Sequence, residues 1–266
     1  MIIDFHTHTF PEKIAARTIQ LLENRCGQKA YSNGTLKGLL NQMEEGNIDI
    51  SVIQPVVTKP EQFKTINETA VYVNEHYGEK IISFGGIHPE SANYKKELLE
   101  IKSMGLKGIK LHPDYQGTFI DDMKYLHIID YASELGLITL VHAGVDVGIP
   151  EPVHCSPKAA RVMLDQVRPE KLVLAHLGGC DLWDEVEHEL VGRNVYLDTA
   201  VIYGRIQENQ FLKIVKEHGI DKILFATDSP WCEQKSSVEW MKNQPLKDEE
   251  LSMIFSENAL KLLELR

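Results

Sequence analysis

The chain has 266 residues, of which 43% are hydrophobic and 25% are charged, and its formal net charge is −11. This length fits one large domain or two small ones, and the negative charge argues against nucleic acid and against an anionic membrane surface as partners. We find no signal-peptide pattern, no apolar segment long enough to span a bilayer and no CxxC pair among the four cysteines, so we expect a cytoplasmic protein without a disulfide framework.

Short apolar runs recur along the chain, and most are followed by a loop and then by a helical pattern. They are rich in Val, Ile and Leu, as strands buried on both faces should be. Their spacing averages about thirty residues, which is the size of one strand–helix unit. The eight runs are 2–8, 50–57, 81–88, 106–112, 137–143, 171–177, 194–200 and 222–228.

The segments between the runs predict helices. Residues 13–25 have apolar positions at helical spacing, 123–136 end in a capping glycine, and 156–167 begin with Ser156 as a candidate N-cap before a proline. Residues 247–265 predict two closing helices.

Alternation of strands and helices predicts a parallel sheet, and eight units without a Pro/Gly-rich linker predict a single domain over residues 1–266. We therefore expect an α/β fold of the (β/α)8 TIM-barrel type, with parallel strands inside and helices outside. The alternative is an open doubly wound sheet. That fold usually carries a glycine-rich loop after its first strand, where this chain has HTHTFPEK.

The first run, MIIDFHTHTF, ends with two histidines that are separated by one residue. Because side chains alternate along a strand, Asp4, His6 and His8 should share one face. Neutral imidazole is the commonest metal ligand, so the pair is a candidate start of a metal site. The alternative is a polar strand end with two solvated histidines.

Polar residues are concentrated at the ends of the runs, which is where TIM barrels place their chemistry. Five of the eight runs end with a histidine, although the chain has only 11 histidines. Each residue alone could be a satisfied core or loop residue, and Asp228 could cap a helix, but together they favour a metal site. The residues at the run ends are His6, His8, His88, Lys110, His112, His142, His176 and Asp228.

Four ordered motifs resemble the amidohydrolase superfamily: HTH on the first run, VHAG on the fifth, AHLGG on the sixth and FATDSPW on the eighth. The resemblance covers the whole chain, including the closing SENALKLL. GIKLHP followed by DYQG, together with the paired glycines of AHLGG, most resembles the amidohydrolase-related group, often called amidohydrolase 2. That group includes metal-dependent hydrolases and non-oxidative decarboxylases similar to aminocarboxymuconate semialdehyde decarboxylase.

The resemblance implies one divalent metal ion, Zn²⁺ in the first place and Mn²⁺ or another ion as alternatives. The implied ligands are His6, His8, His142 and Asp228. The resemblance also implies that His176 acts as a base or proton shuttle near a metal-activated water, and that Asp228 can collect a proton from that water. Asp4 is a candidate to fix the imidazole tautomers, because it shares the predicted strand face.

Lys110 admits two interpretations. In binuclear members of the superfamily, a lysine on the fourth strand can be carboxylated and bridge two metals. GIKLHP instead matches the amidohydrolase-related group, whose site is usually mononuclear, so we expect Lys110 to be a pocket residue. The residues expected to contact substrate are Lys110, His112, Tyr115, His154 and Trp231. His88 precedes a proline and is not included, because loop structure accounts for it.

The resemblance implies hydrolysis of a small amide, ester or lactone, with non-oxidative decarboxylation of a small carboxylated, aromatic-like substrate as the alternative. A phosphoesterase of the polymerase-and-histidinol-phosphatase type is less favoured, because FATDSPW lacks a nearby histidine. A TatD-type nuclease would place a glutamate where this chain has Lys110. A non-enzymatic metal-binding barrel would leave His176 without a purpose. We expect a small-molecule substrate and no nucleic-acid or membrane partner, and the sequence allows a homodimer.

Overall fold

The computed structural model describes residues 1–265, and each predicted run contains a strand. The third run contains two short strands that are separated by Phe84. The strands are β1 (Ile3–Thr7), β2 (Ile50–Ile53), β3 (Ile81–Ser83), β4 (Gly85–Gly86), β5 (Gly108–Leu111), β6 (Ile138–Val141), β7 (Leu172–Leu174), β8 (Tyr196–Asp198) and β9 (Ile223–Leu224).

All neighbouring strands pair in parallel and in chain order, β1 to β3 in one sheet and β4 to β9 in the other. The two sheets follow one another directly at β3 and β4. At the other side, Phe5 N–H donates to the Phe225 carbonyl at 2.9 Å, and Asp228 N–H donates to the His6 carbonyl at 2.8 Å. The predicted TIM barrel is therefore confirmed, and the strand order is not that of a doubly wound sheet.

Helices follow the strands as predicted. Within residues 1–265 the α-helices are α1 (Glu12–Cys26), α2 (Leu36–Gly46), α3 (Phe63–Tyr77), α4 (Tyr94–Ser103), α5 (Pro113–Gln116), α6 (Met123–Glu134), α7 (Pro157–Gln166), α8 (Trp183–Glu189), α9 (Glu208–His218), α10 (Gln234–Lys242), α11 (Asp248–Ser252) and α12 (Asn258–Leu263). The Ser156 hydroxyl accepts a hydrogen bond from Ala159 N–H, so Ser156 is the N-cap of α7. The two predicted closing helices are α11 and α12, joined by a π-helical turn over Met253–Glu257.

The hydrophobic core has two parts. One lies between strands and outer helices, and the other fills the barrel, where Phe5 and Phe84 pack edge to face with ring centroids 5.9 Å apart. Ala259, Leu262 and Leu263 of α12 belong to this second part. Apolar packing therefore fills the barrel, and polar side chains remain for the carboxyl ends of the strands.

Two smaller expectations concern cysteines and membranes. All four cysteines are free thiols. None of the helices in residues 1–265 combines the length and hydropathy that crossing a bilayer requires.

Candidate metal centre

The carboxyl end of β1 and the turn after β9 bring together His6, His8 and Asp228. The two histidine Nε2 atoms lie 3.1 Å apart, and Oδ1 of Asp228 lies 3.4 Å from His6 Nε2 and 3.0 Å from His8 Nε2. The hydrogen bond from Asp228 N–H to the His6 carbonyl aligns the two segments. Three potential ligand atoms therefore converge from chain segments that are more than 200 residues apart.

Asp198, at the end of β8, determines the tautomer of His6. Its Oδ2 lies 2.9 Å from His6 Nδ1, and both side chains are buried. An ionised carboxylate only accepts hydrogen bonds, so Nδ1 of His6 carries the hydrogen. Nε2 of His6 is then a free lone pair that faces His8, which is the form that a metal ligand requires.

The residues fit a divalent cation. Oδ1 of Asp228 is buried and has no well-aligned hydrogen bond in residues 1–265. Burial by itself would raise the pKa of Asp228, but the His8 ring, whose Nε2 lies 3.0 Å from Oδ1, contributes to holding that pKa below its ordinary value. Burial also lowers the pKa of His6 well below its ordinary value, so its imidazole is neutral. An ionised carboxylate beside neutral imidazole is the donor set of a zinc or manganese site.

Lys110, on β5, reaches the same centre. Its Nζ lies 3.1 Å from His6 Nε2, and the residue is fully buried. Within residues 1–265 no carboxylate oxygen lies within 4.0 Å of this ammonium group, and burial lowers its pKa to about 8. A buried cation without a directly paired anion is costly, so this position favours an anionic ligand group.

His142 and His176 form a second histidine pair beside the first. Nε2 of His176 lies 2.9 Å from Nδ1 of His142, and the His176 ring centroid is 5.4 Å from that of His6. Nδ1 of His176 lies 3.1 Å from the Ala200 carbonyl, which only accepts. His176 therefore carries its hydrogen on Nδ1 and accepts one from His142 at Nε2. Here His142 faces His176 and does not join the group formed by His6, His8 and Asp228.

The remaining predicted pocket residues form one wall next to His142. The His112 ring stacks on the His142 ring at 4.2 Å, and the Tyr115 ring lies 4.3 Å from His112. Nδ1 of His112 accepts from Tyr115 N–H at 3.4 Å, so His112 Nε2 carries a hydrogen and points towards Asp146 Oδ2 at 3.6 Å. In this group His112 presents a hydrogen, whereas Nε2 of His142 is a buried lone pair with no hydrogen bond in residues 1–265.

His154 and Trp231 make contacts outside the group of converging ligand atoms. Both the backbone N–H and Nδ1 of His154 lie 3.1 Å from Asp114 Oδ1, and the ring packs against Phe119. Trp231 is half-buried in the turn after β9, where its N–H donates to the Asp228 carbonyl. His88 accepts a hydrogen bond from Glu90 N–H, which is consistent with the loop role expected for it.

The expectation for Asp4 is wrong. Its carboxylate accepts hydrogen bonds from His6 N–H, from the Thr227 N–H and hydroxyl, and from Gln234 Nε2, and none of these is an imidazole nitrogen. The physical reason is a register shift in β1 between Asp4 and Thr7, which breaks the strict alternation that the prediction assumed. Asp198 takes the role that the sequence suggested for Asp4.

The profile of the amidohydrolase family matches residues 3–265. The chain belongs to the amidohydrolase family. This membership confirms the resemblance found in the sequence and makes the protein an enzyme of that superfamily. Among curated protein sequences, none matches this chain significantly.

Solved structures share the fold of this family member over nearly the whole chain. The 5-carboxyvanillate decarboxylase of Sphingomonas paucimobilis is 14% identical, with a TM-score of 0.74 and coverage of 100% of this chain and 99% of that one. An uncharacterized TIM-barrel protein of Bordetella bronchiseptica is 19% identical, with a TM-score of 0.76 and coverage of 99% and 98%. A dihydroxybenzoic acid decarboxylase of Polaromonas, solved with manganese and 2-nitroresorcinol, is 15% identical, with a TM-score of 0.72 and coverage of 99% and 96%.

Three carboxylates near the centre of this family member did not emerge from the sequence: Asp114, Asp146 and Asp198. Asp198 carried a detectable signal, because it follows the apolar residues of the run 194–200, as Asp228 follows those of the run 222–228. Asp114 and Asp146 lie in the segments after β5 and β6, where no strand pattern marks them.

Proposed function

We propose that this enzyme is a metal-dependent non-oxidative decarboxylase of a small aromatic carboxylate. The observation that carries the proposal is Lys110, a buried ammonium group whose hydrogen-bond partner is the free lone pair of His6. A cation bound at His6 Nε2 would compete with Lys110 for that lone pair. An anionic substrate group restores a partner to Lys110, and a carboxylate is such a group whereas a neutral amide, ester or lactone is not.

The relatives support the same choice. The Sphingomonas and Polaromonas proteins are decarboxylases of aromatic acids, and the Polaromonas protein binds manganese. From the sequence we expected hydrolysis, with decarboxylation as the alternative. We now prefer decarboxylation. We propose a single divalent ion, Zn²⁺ or Mn²⁺, held by His6, His8 and Asp228, with His142 as the further ligand that the sequence predicts.

When bound, such an ion supplies Lewis-acid attraction for the oxygens of a carboxylate substrate. Lys110 binds the same anionic end of the substrate. His112 offers its Nε2 hydrogen at the wall, and its ring and that of Tyr115 can contact an aromatic substrate. Together these groups would bind the carboxylate end of the substrate and orient its ring for reaction.

Decarboxylation breaks the bond between the ring carbon and the carboxylate carbon, leaves the electron pair on the ring carbon and releases carbon dioxide. A proton must then be added to that ring carbon. His176 can hold this proton at Nε2, because its Nδ1 is already committed to the Ala200 carbonyl. In the hydrolytic alternative, Asp228 is the residue expected to collect a proton from the attacking water.

The test reconstitutes the protein separately with Zn²⁺ and Mn²⁺ and presents hydroxylated benzoates, together with esters, lactones and amides of similar size. We expect carbon dioxide release from at least one carboxylate, and in D₂O one deuterium on the carbon that lost the carboxylate. A variant with both His6→Asn and His8→Asn is the control and should be inactive. Hydrolysis of an ester, lactone or amide without carbon dioxide release from any acid would overturn the proposal in favour of the hydrolase.

A further inference from the structure

Asp198 contacts both halves of the candidate centre through different oxygens. Oδ2 accepts the hydrogen bond from His6 Nδ1 at 2.9 Å, while Oδ1 accepts backbone N–H groups of His176 at 2.8 Å and of Ala200 at 3.0 Å. The Asp198 side chain is fully buried. One carboxylate therefore joins β1, the segment after β7 and the end of β8.

The backbone of His176 needs such support. Its φ is +59°, and the next residue, Leu177, has φ of +56°. Residues with a β-carbon rarely adopt this left-handed conformation, so surrounding contacts must impose it. Asp198 Oδ1 holds the N–H of His176, and Trp183 Nε1 donates to the carbonyl of His176 at 3.1 Å. These two contacts support the backbone from which the His176 ring projects.

We infer that Asp198 is a positioning residue that couples the proposed metal ligand His6 to the proposed proton-handling His176. Through Oδ2 it keeps the His6 hydrogen on Nδ1 and leaves Nε2 free, and through Oδ1 it fixes the backbone from which the His176 ring projects. The inference rests on the proposed function for the roles of the two histidines. The control of the His6 tautomer by Asp198 is a property of the protein alone.

Asp198→Asn separates the two effects. An amide has one accepting oxygen and one donating nitrogen, so it cannot satisfy all three donors that surround Asp198. The amide oxygen of the asparagine accepts two hydrogen bonds when it faces the N–H groups of His176 and Ala200, and only one when it faces His6. We therefore expect the amide nitrogen to face His6 Nδ1. This contact favours the form of His6 with its hydrogen on Nε2, against the hydrogen bond that Lys110 offers to Nε2.

The first measurement uses metal-free protein with ¹⁵N-labelled histidine and records the ring-nitrogen correlations. His6 is identified by the signal that His6→Asn removes. We expect the Nδ1–H form of His6 in the unsubstituted protein and the Nε2–H form in Asp198→Asn, with the His176 tautomer unchanged. Asp4→Asn is the matched control, because Asp4 is buried and contacts His6 only through its backbone N–H. That variant should leave the His6 tautomer as it is.

The second measurement is the dissociation constant for Zn²⁺ and for Mn²⁺, obtained by competition with a chelator. We expect Asp198→Asn to raise the dissociation constant by about 10- to 100-fold, the usual effect of losing a residue that orients a ligand. An Nε2–H form of His6 in the unsubstituted protein, or an unchanged His6 tautomer in Asp198→Asn, overturns the inference. The expected tautomers together with a protein that binds neither metal overturn the proposed function and leave tautomer control by Asp198 established.

Discussion

Nε2 of His176 and Nδ1 of His142 lie 2.9 Å apart, at the ends of adjacent strands, and share one hydrogen. Because Nδ1 of His176 donates to the Ala200 carbonyl, the shared hydrogen belongs to His142. His176 thus accepts a hydrogen bond at Nε2 from another side chain of the protein. This relationship separates the expected role of His176 from that of the ligands.

His176→Asn should retain the metal while turnover falls by about 100-fold or more, the usual size of a lost general acid–base step. Asparagine tolerates the left-handed backbone that His176 adopts, so the variant should fold. Metal content by mass spectrometry and turnover on the substrate found by screening are the two measurements. Loss of the metal would show His176 to be a ligand, and unchanged turnover would show that it takes no part in the reaction.

Metal content should be about one divalent ion per chain, and the double variant His6→Ala, His8→Ala should contain none. The bound ion should also stabilise the native protein, by about 2.7 kcal/mol at a free concentration 100 times the dissociation constant. Melting temperatures of metal-free and reconstituted protein check this. The exposed residues His76 and His188, replaced together by alanine, provide the matched control and should leave metal content unchanged. Identical melting curves and no metal at any stage would contradict the proposed centre.

Lys110→Met should leave the metal content near one ion per chain and raise the KM for a carboxylate substrate by at least about 10-fold, as expected when a partner of a buried charge is lost. Lys107→Met is the matched control, because Lys107 lies just before β5 and its Nζ donates to the Leu263 carbonyl. Anomalous scattering or mass spectrometry counts the ions. A fall from two ions to one on Lys110→Met would show that the lysine bridges a binuclear site.

The stability of the protein should fall in acid partly because of His218, at the end of α9. Gly192 N–H donates to His218 Nδ1, and His218 Nε2 donates to the Val195 carbonyl, so the folded protein holds the neutral ring. Burial lowers the pKa of His218 below 6.5. As pH falls, the His218 ring therefore takes up a proton in the unfolded chain before it does so in the folded protein. The stability that the neutral ring contributes is present above pH 6.5 and is lost as pH falls towards the folded pKa.

Urea unfolding of the unsubstituted protein and of His218→Gln at pH 8 and pH 5.5 measures this effect. Glutamine can donate to the Val195 carbonyl but does not titrate, so the stability advantage of the unsubstituted protein should shrink at the lower pH. Each unit by which folding lowers the pKa of His218 corresponds to about 1.4 kcal/mol in the free energy of unfolding. The exposed His127, replaced by glutamine, should show no such pH-dependent difference. An advantage that is equal at both pH values would contradict the role assigned to His218.

The barrel was accessible from the sequence because it rests on local patterns, whereas the candidate ligands His6, His8, His142 and Asp228 were implied by motifs that resemble the amidohydrolase superfamily. An apolar run predicted each strand, and the two-residue spacing of His6 and His8 was the first indication of a metal site. Asp4 and Asp198 show the limit of that reasoning. Strict alternation placed Asp4 with the histidines, but the register shift in β1 depends on pairing with β2. The bond between His6 and Asp198 spans 192 residues, and no local pattern encodes it.

The hydrogen bond that joins Asp228 to His6 has a consequence for the order in which the protein matures. During synthesis His6 and His8 emerge first, while Asp228 follows after most of the chain has been made. Contacts of such long sequence separation form late in folding, since they require most of the chain to be ordered. The proposed ion would therefore be captured in its final coordination only after the ends of the barrel meet, and metal uptake would report that the barrel is complete.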